Sequence, residues 1–183
     1  MSNDLHFDPS KIDWLDIKGL DAMAILHVLP HRFPFLLVDR VLEVKTAKPV
    51  RLGMSQEEID ATKKGSYSRT FKNVSFNEPQ FSGHFPENPI LPGVMTLETM
   101  AQSAAFIMLP YIALNNNGTF KKFDVFLAGF DNVRFRRPIR PGDQLHVHAT
   151  LTQFKKNVLS FSVEATIEGK KAAEADLLAQ ILW

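Results

Sequence analysis

The stretch Gln144-Leu145-His146-Val147-His148-Ala149-Thr150-Leu151-Thr152 alternates polar and apolar side chains at every step. Period two marks a β-strand with one dry face and one wet face. The pattern returns in Leu159, Phe161, Val163, Ala165 and Ile167, and again in Ala173, Ala175, Leu177, Ala179 and Ile181. Glu168-Gly169-Lys170 between those runs reads as a hairpin turn, because glycine accepts the positive φ that tight hairpins need. Three successive antiparallel strands are therefore predicted. Upstream, Phe123 to Phe135 is rich in Phe and Val and is closed by Arg137-Pro138 and Pro141-Gly142, so it is predicted as a further strand. Leu36 to Lys45 and Tyr67 to Phe76 read as two more.

Helical signals are fewer. Leu20 to Leu29 forms a short amphipathic run ended by Pro30, and Ser55-Gln56-Glu57-Glu58 has the order of a capping box. The informative helix is Val94 to Leu109, where Met95, Leu97, Met100, Ala101, Ala104, Ala105, Phe106, Ile107 and Met108 cover nearly the whole circumference. A helix apolar all round is a buried one. Several strands and one buried helix imply an α+β fold, an antiparallel sheet wrapped around a central helix.

Composition narrows the function. The 183 residues are 45% hydrophobic and 22% charged, as one globular domain requires. A formal charge of +1 supplies no field for nucleic acid or an anionic membrane, so neither is expected as a partner. The absence of Cys excludes a thiolate nucleophile and a cysteine-held metal. His146 and His148 share one strand face but lack a third ligand in the pattern, and no metal is expected. Residues 1–18, with Asp4, Asp8, Asp13 and Asp16, lack the basic start and apolar run of a signal peptide. No run reaches the roughly 18 apolar residues of a membrane span. A cytoplasmic location is expected.

Glu98 is the anomaly within the buried helix, because a buried carboxylate costs several kcal/mol unless it is paired, hydrogen-bonded or protonated. Just before the helix stands Phe81-Ser82-Gly83-His84-Phe85-Pro86, followed by Asn88-Pro89-Ile90-Leu91-Pro92-Gly93. Two Gly and three Pro restrict this loop closely, as a positioning device would. His84 is its only imidazole, a group able to take or give a proton near neutral pH. His84 and Glu98 are thus candidate base and acid, from the same chain or from two.

Four ordered motifs carry a resemblance. They are Leu29-Pro30-His31-Arg32-Phe33-Pro34-Phe35-Leu36-Leu37-Val38-Asp39-Arg40-Val41; Gly83-His84-Phe85-Pro86 with Leu91-Pro92-Gly93-Val94; Leu97-Glu98-Thr99-Met100-Ala101-Gln102; and Asp131-Asn132-Val133-Arg134-Phe135-Arg136-Arg137-Pro138 through Pro141-Gly142-Asp143. Together they resemble the β-hydroxyacyl-acyl carrier protein dehydratases of FabZ type, over residues 20–183. The resemblance implies a hot-dog fold paired into dimers, commonly a trimer of dimers. It also implies an acyl tunnel at the dimer interface, with the His and the Glu contributed by different subunits. Residues 1–19 extend beyond the usual start, and residues 52–65 look like an insertion; both put the tunnel rim and the oligomer contacts in question. A dehydratase that also isomerises its product usually carries Asp at the place of Glu98 and lacks the first motif. A hot-dog thioesterase leaves the loop His without a purpose, and intact His84 and Glu98 argue against a silent acyl-binding module.

The implied reaction needs a base at C2 and an acid at the C3 hydroxyl. His84 is expected to take the proton and Glu98 to give one, or His84 to do both while Glu98 orients the hydroxyl. Gly93 and Val94 open the helix, where free N–H groups favour the developing thioester oxyanion. Gln102 lies one turn after Glu98 and can bind its carboxyl group. Phe81, Phe85, Ile90, Met95 and Phe130 are expected tunnel walls, though such residues are more often plain core. The partner is acyl carrier protein bearing the 3-hydroxyacyl thioester. Because that carrier is acidic, Arg134, Arg136, Arg137, Arg140, Lys155 and Lys156 are candidates for docking it, or for a solvated strand edge. His31 and Arg32 are expected to hydrogen-bond within a buried loop. No cofactor is expected.

Overall fold

A computed structural model describes residues 7–182, so the first six residues of the expected extension and Trp183 lie outside the described residues. Six strands form one antiparallel sheet: β1 (Arg40–Lys45), β2 (Tyr67–Asn73), β3 (Asp124–Phe135), β4 (Gln144–Lys155), β5 (Val158–Ile167) and β6 (Lys170–Leu182). Their order across the sheet is β1-β2-β4-β5-β6-β3. The alternation holds residue by residue. Leu145, Val147, Ala149, Leu151, Leu159, Phe161, Val163 and Ala165 are buried on one face, with Ala173, Ala175, Leu177, Ala179 and Ile181 beside them. Ile167 pairs with Lys170, and Glu168 and Gly169 both adopt positive φ between them, the two-residue hairpin expected at this place.

The helices are α1 (Ala22–Val28), α2 (Gln56–Asp60), α3 (Gly93–Ala105) and α4 (Leu109–Leu114). Asp21 caps α1, and Ser55 and Glu58 make the reciprocal capping box of α2. The central helix outlasts its expected end at Leu109. A 3₁₀ turn over Phe106–Met108 links α3 to α4, which places Pro110 in the first turn of α4. There a missing N–H costs no helical bond. The combined helix, Gly93–Leu114, has a hydropathy of 1.3 and the length to cross a membrane, but its apolar window is 72% buried inside the protein.

One departure has a side-chain cause. The strand expected from Leu36 begins only at Arg40, because the Phe35 carbonyl and the Leu37 N–H are engaged by the amide of Gln102 at 2.8 and 2.9 Å. Those groups are therefore unavailable to a sheet ladder. On the other side of the helix a hydroxyl seam fixes it against β2. Ser68 Oγ donates to the Ser103 carbonyl at 2.7 Å, Thr70 Oγ1 meets Ser103 Oγ at 2.7 Å, and Ser103 Oγ donates to the Thr99 carbonyl at 2.7 Å.

The N-terminal segment and the expected insertion are both packed. Trp14, Ile17 and Leu20 are buried in a second apolar cluster with Ile25, Val28, Phe106, Leu109 and Ala113. Val44 N–H donates to the Ile17 carbonyl, and Leu20 bridges to Val41, so this segment covers the β1 edge. In the insertion Ile59 joins the main core, and Lys63 pairs with Asp60 while its ammonium lies 3.6 Å from the Phe154 ring centroid.

Candidate active site

The loop before α3 presents His84 through short-range backbone bonds. His84 N–H donates to Gln80 at 2.9 Å, Ile90 N–H returns to the His84 carbonyl at 3.0 Å, and Leu91 N–H ties the loop to Ile139 at 2.8 Å. The His84 Nδ1 lies 2.7 Å from the Ile90 carbonyl. A carbonyl only accepts, so Nδ1 carries the proton and the neutral ring keeps its lone pair on Nε2, ready to act as a base. The ring stacks on Phe85, centroid to centroid 4.2 Å. His84 borders a groove with Ile90, Gly93, Phe135, Arg136 and Arg137.

Glu98 sits one turn into α3 with its side chain 19% exposed. Gln102 Nε2 donates to its Oε1 at 2.8 Å, as the one-turn spacing predicts. His31 Nε2 stands 3.4 Å from the same oxygen, and its Nδ1 is buried without a partner among the described residues. Arg32 makes the expected kind of hydrogen bond, its guanidinium donating to the Leu26, Leu29 and His31 carbonyls, but it does so from an exposed loop and not a buried one. His31 is the residue that sequence reasoning underrated: it faces the carboxyl group. Glu98 and His31 border an apolar cavity of about 150 Å³ lined by Val28, Ala101, Ala105, Met108, Phe123, Val125, Leu127, Phe161, Leu177 and Ala179.

Within one chain, therefore, His84 and Glu98 open into different hollows. The residues expected as tunnel walls are scattered. Of the five, only Ile90 borders either hollow; Phe81 is core, Met95 and Phe130 pack against the core, and Phe85 is exposed beside His84. The cavity at Glu98 is lined instead by the helix face beyond Glu98, by the dry faces of β5 and β6, and by Phe123, Val125 and Leu127 at the start of β3. Their sequence signal is the alternation itself, Phe123, Val125 and Leu127.

Gly93 opens α3 beside His84, and a Cβ there would meet Phe135 Cζ at 2.8 Å, so glycine allows the ring to lie against the helix start. Among the described residues no hydrogen bond takes up the Gly93 or Val94 N–H, which leaves two donors at the positive end of the helix. The Val94 side chain points to solvent. The basic residues do not form one patch. Lys155 and Lys156 lie at the far end of β4 from Arg140, roughly 35 Å along the strand at ordinary rise. Arg136 is paired with Glu174, Arg134 with its neighbour's carbonyl, and Arg140 Nη1 donates to Asn88 Oδ1 at 2.6 Å, bracing the His84 loop. Arg137 lines the groove without an ion pair among the described residues.

A family model described as a FabA-like domain matches residues 29–176. The chain belongs to that family. Within it the FabA-like chain is of FabZ type: it is 43% identical over 162 residues to the 3-hydroxyacyl-[acyl-carrier-protein] dehydratase FabZ of Rickettsia akari, 88% of this chain and 96% of that one. The FabZ of Rickettsia canadensis is 41% identical over 88% of this chain and 97% of its own. Among solved structures, a chain of the dehydratase heterocomplex ApeI:P from Xenorhabdus doucetiae superposes with a TM-score of 0.60 at 18% identity, covering 87% and 91% of the two chains. A thioesterase superfamily member from Thermus thermophilus gives 0.52 at 18% identity over 65% and 82%. At such identities these two speak for the hot-dog fold alone.

Proposed function

We propose that this FabZ-type protein removes water from 3-hydroxyacyl thioesters on acyl carrier protein, giving trans-2-enoyl thioesters. It does so in cytoplasmic type II fatty acid synthesis, with His84 of one subunit and Glu98 of its partner as the reacting pair. The observation that carries the reading is the apolar cavity that ends on the Glu98 carboxyl group. A greasy chain can lie there with its functional end at the acid, and the activity named for the FabZ relatives needs that arrangement.

His84 Nε2 takes the C2 proton, the C–H electron pair forms the new double bond, and the C3–O bond breaks as Glu98 delivers a proton to the departing hydroxyl, which leaves as water. The roles reverse for hydration. The free N–H groups of Gly93 and Val94 receive the charge that develops on the thioester oxygen. Gln102 holds Glu98 in place, and Arg137, without an ion pair among the described residues, offers the acidic carrier a cation at the His84 groove.

The two separate hollows favour a site shared between subunits. So do the sheet edges: the N-terminal segment covers β1, whereas Phe126, Leu127 and Phe135 stay exposed on the other edge strand, β3. An apolar edge strand left open invites a second copy. The reading is tested by following enoyl absorbance with a 3-hydroxyacyl carrier. Turnover should fall about 10² to 10⁴-fold in Glu98→Gln and in His84→Ala, with the fold retained. Thiol release without enoyl product would instead mark a thioesterase, and binding without turnover an acyl-binding protein.

A further inference from the structure

The cavity beside Glu98 is walled off at its other end, and the wall is backed by the N-terminal segment. Along the central helix the cavity runs past Ala101 and Ala105 to Met108, ten residues from Glu98 and about 15 Å at helical rise. The near walls are small. At the far end stands Phe123, which also borders a surface recess with Ile112 and Asn115 near the close of α4, so it separates the cavity from solvent there. Phe123 meets Phe120 edge to face at 6.3 Å. Phe120 in turn lies against Trp14 at 5.1 Å and His27 at 5.2 Å, and Phe7 packs on His27 at 5.3 Å.

Trp14 is 4% exposed, and its indole N–H donates to the Pro9 carbonyl at 3.2 Å. The segment that carries it is fastened to β1 through Ile17 and Leu20. For Phe123 to swing aside, Phe120 must yield, and Phe120 has a buried tryptophan behind it. Close-packed rings resist such displacement because moving one forfeits its contacts with the next.

We propose that this aromatic stack is the end stop of the acyl site, so that residues 7–21 set the longest chain the enzyme accepts. The proposal rests on the dehydratase reading, which puts an acyl chain in the cavity. An apolar cavity of about 150 Å³ holds a molecule the size of benzene, so its far wall limits what a tail can occupy. Phe120 touches the stop without lining the cavity, which makes it a positioning residue.

The experiment compares kcat/KM across a ladder of 3-hydroxyacyl carriers, from short to long chains, for the unaltered protein, Phe120→Ala and Trp14→Ala. Each methylene that a pocket cannot seat costs about 10-fold or more in kcat/KM, so the long-to-short ratio should rise about 10-fold in both variants, through a lower KM for long chains. Short-chain turnover should stay within about twofold. Thermal unfolding checks the fold, and if either alanine variant unfolds, Phe120→Leu carries the same comparison. A folded variant whose activity falls equally at every length, or whose ratio does not move, overturns the end stop while leaving the dehydratase reading intact. Failure of the unaltered protein on every substrate in the ladder overturns both.

Discussion

Gln102 meets three groups at once: the Glu98 carboxyl group, the Leu37 N–H and the Phe35 carbonyl. Replacing it with Leu strands a buried N–H and a carbonyl, which costs about 1–3 kcal/mol of stability for an unsatisfied buried group. Turnover should drop further than stability explains, since Glu98 also loses its hold; urea unfolding and single-turnover rates on Gln102→Leu separate the two effects. His31→Phe keeps the ring's bulk and removes only its nitrogens beside Glu98, and it should lower kcat by about 10-fold with long- and short-chain substrates alike. Equal rates in the variant would make His31 a mere wall. His84 and Glu98 stand out as candidates in the sequence because each breaks a local rule, a rigid Pro-Gly loop around an imidazole and a carboxylate in an apolar helix. His31 breaks none, and its meaning arises only when the segment after α1 folds back onto the second turn of α3.

Elements were legible where periodicity is strong and blurred where side chains take over backbone bonding, as Gln102 does at the start of β1. Gly93 at the head of α3 shows the competition. Ala is the better helix former by about 1 kcal/mol, yet its Cβ would press on the exposed Phe135 ring, which can turn away. Gly93→Ala should therefore unfold close to the parent midpoint while losing activity, because the methyl group and the displaced ring crowd the free N–H groups. The N-terminal segment has its own pH signature. The hydrogen bond from Lys45 holds Asp16 below the usual carboxylate range, and the same bond raises Lys45 above the usual lysine range. A lowered carboxylate stabilises above its unfolded value and loses that contribution as pH falls through the folded value; a raised lysine stabilises below its unfolded value and loses it as pH climbs through the folded one. The tether is thus whole around neutrality. Hydrogen exchange at Val44, corrected for intrinsic rate, should accelerate in acid below about pH 4, more so at low salt where the pair is unscreened.

At the scale of the molecule, one chain holds each half of the proposed reacting pair in a different hollow, and no reading of a single sequence tells which halves meet. The candidate carrier-docking residues suffer from the same limit: Lys155 and Lys156 lie at the opposite end of a long strand from the arginines. If the pair assembles across two copies, His84→Ala and Glu98→Ala subunits, each inactive alone, should regain about a quarter of parental activity when refolded together. Half the dimers are then mixed, and each mixed dimer has one intact site of two. A mixture as dead as its parts would return both residues to a single chain. An acidic residue at Phe126 should separate the copies and remove activity in step, measured by sedimentation and by the enoyl assay.

The hydroxyl seam between β2 and the central helix has an implication for how such an enzyme can change. Ser68, Thr70 and Ser103 act as a key in a slot: the rod cannot creep or spin without surrendering several sheltered contacts together. Because Glu98 rides on that rod, the proposed acid and the proposed end stop are mechanically uncoupled. On that proposal, substrate range can be altered at the aromatic end while the carboxyl group stays where it is.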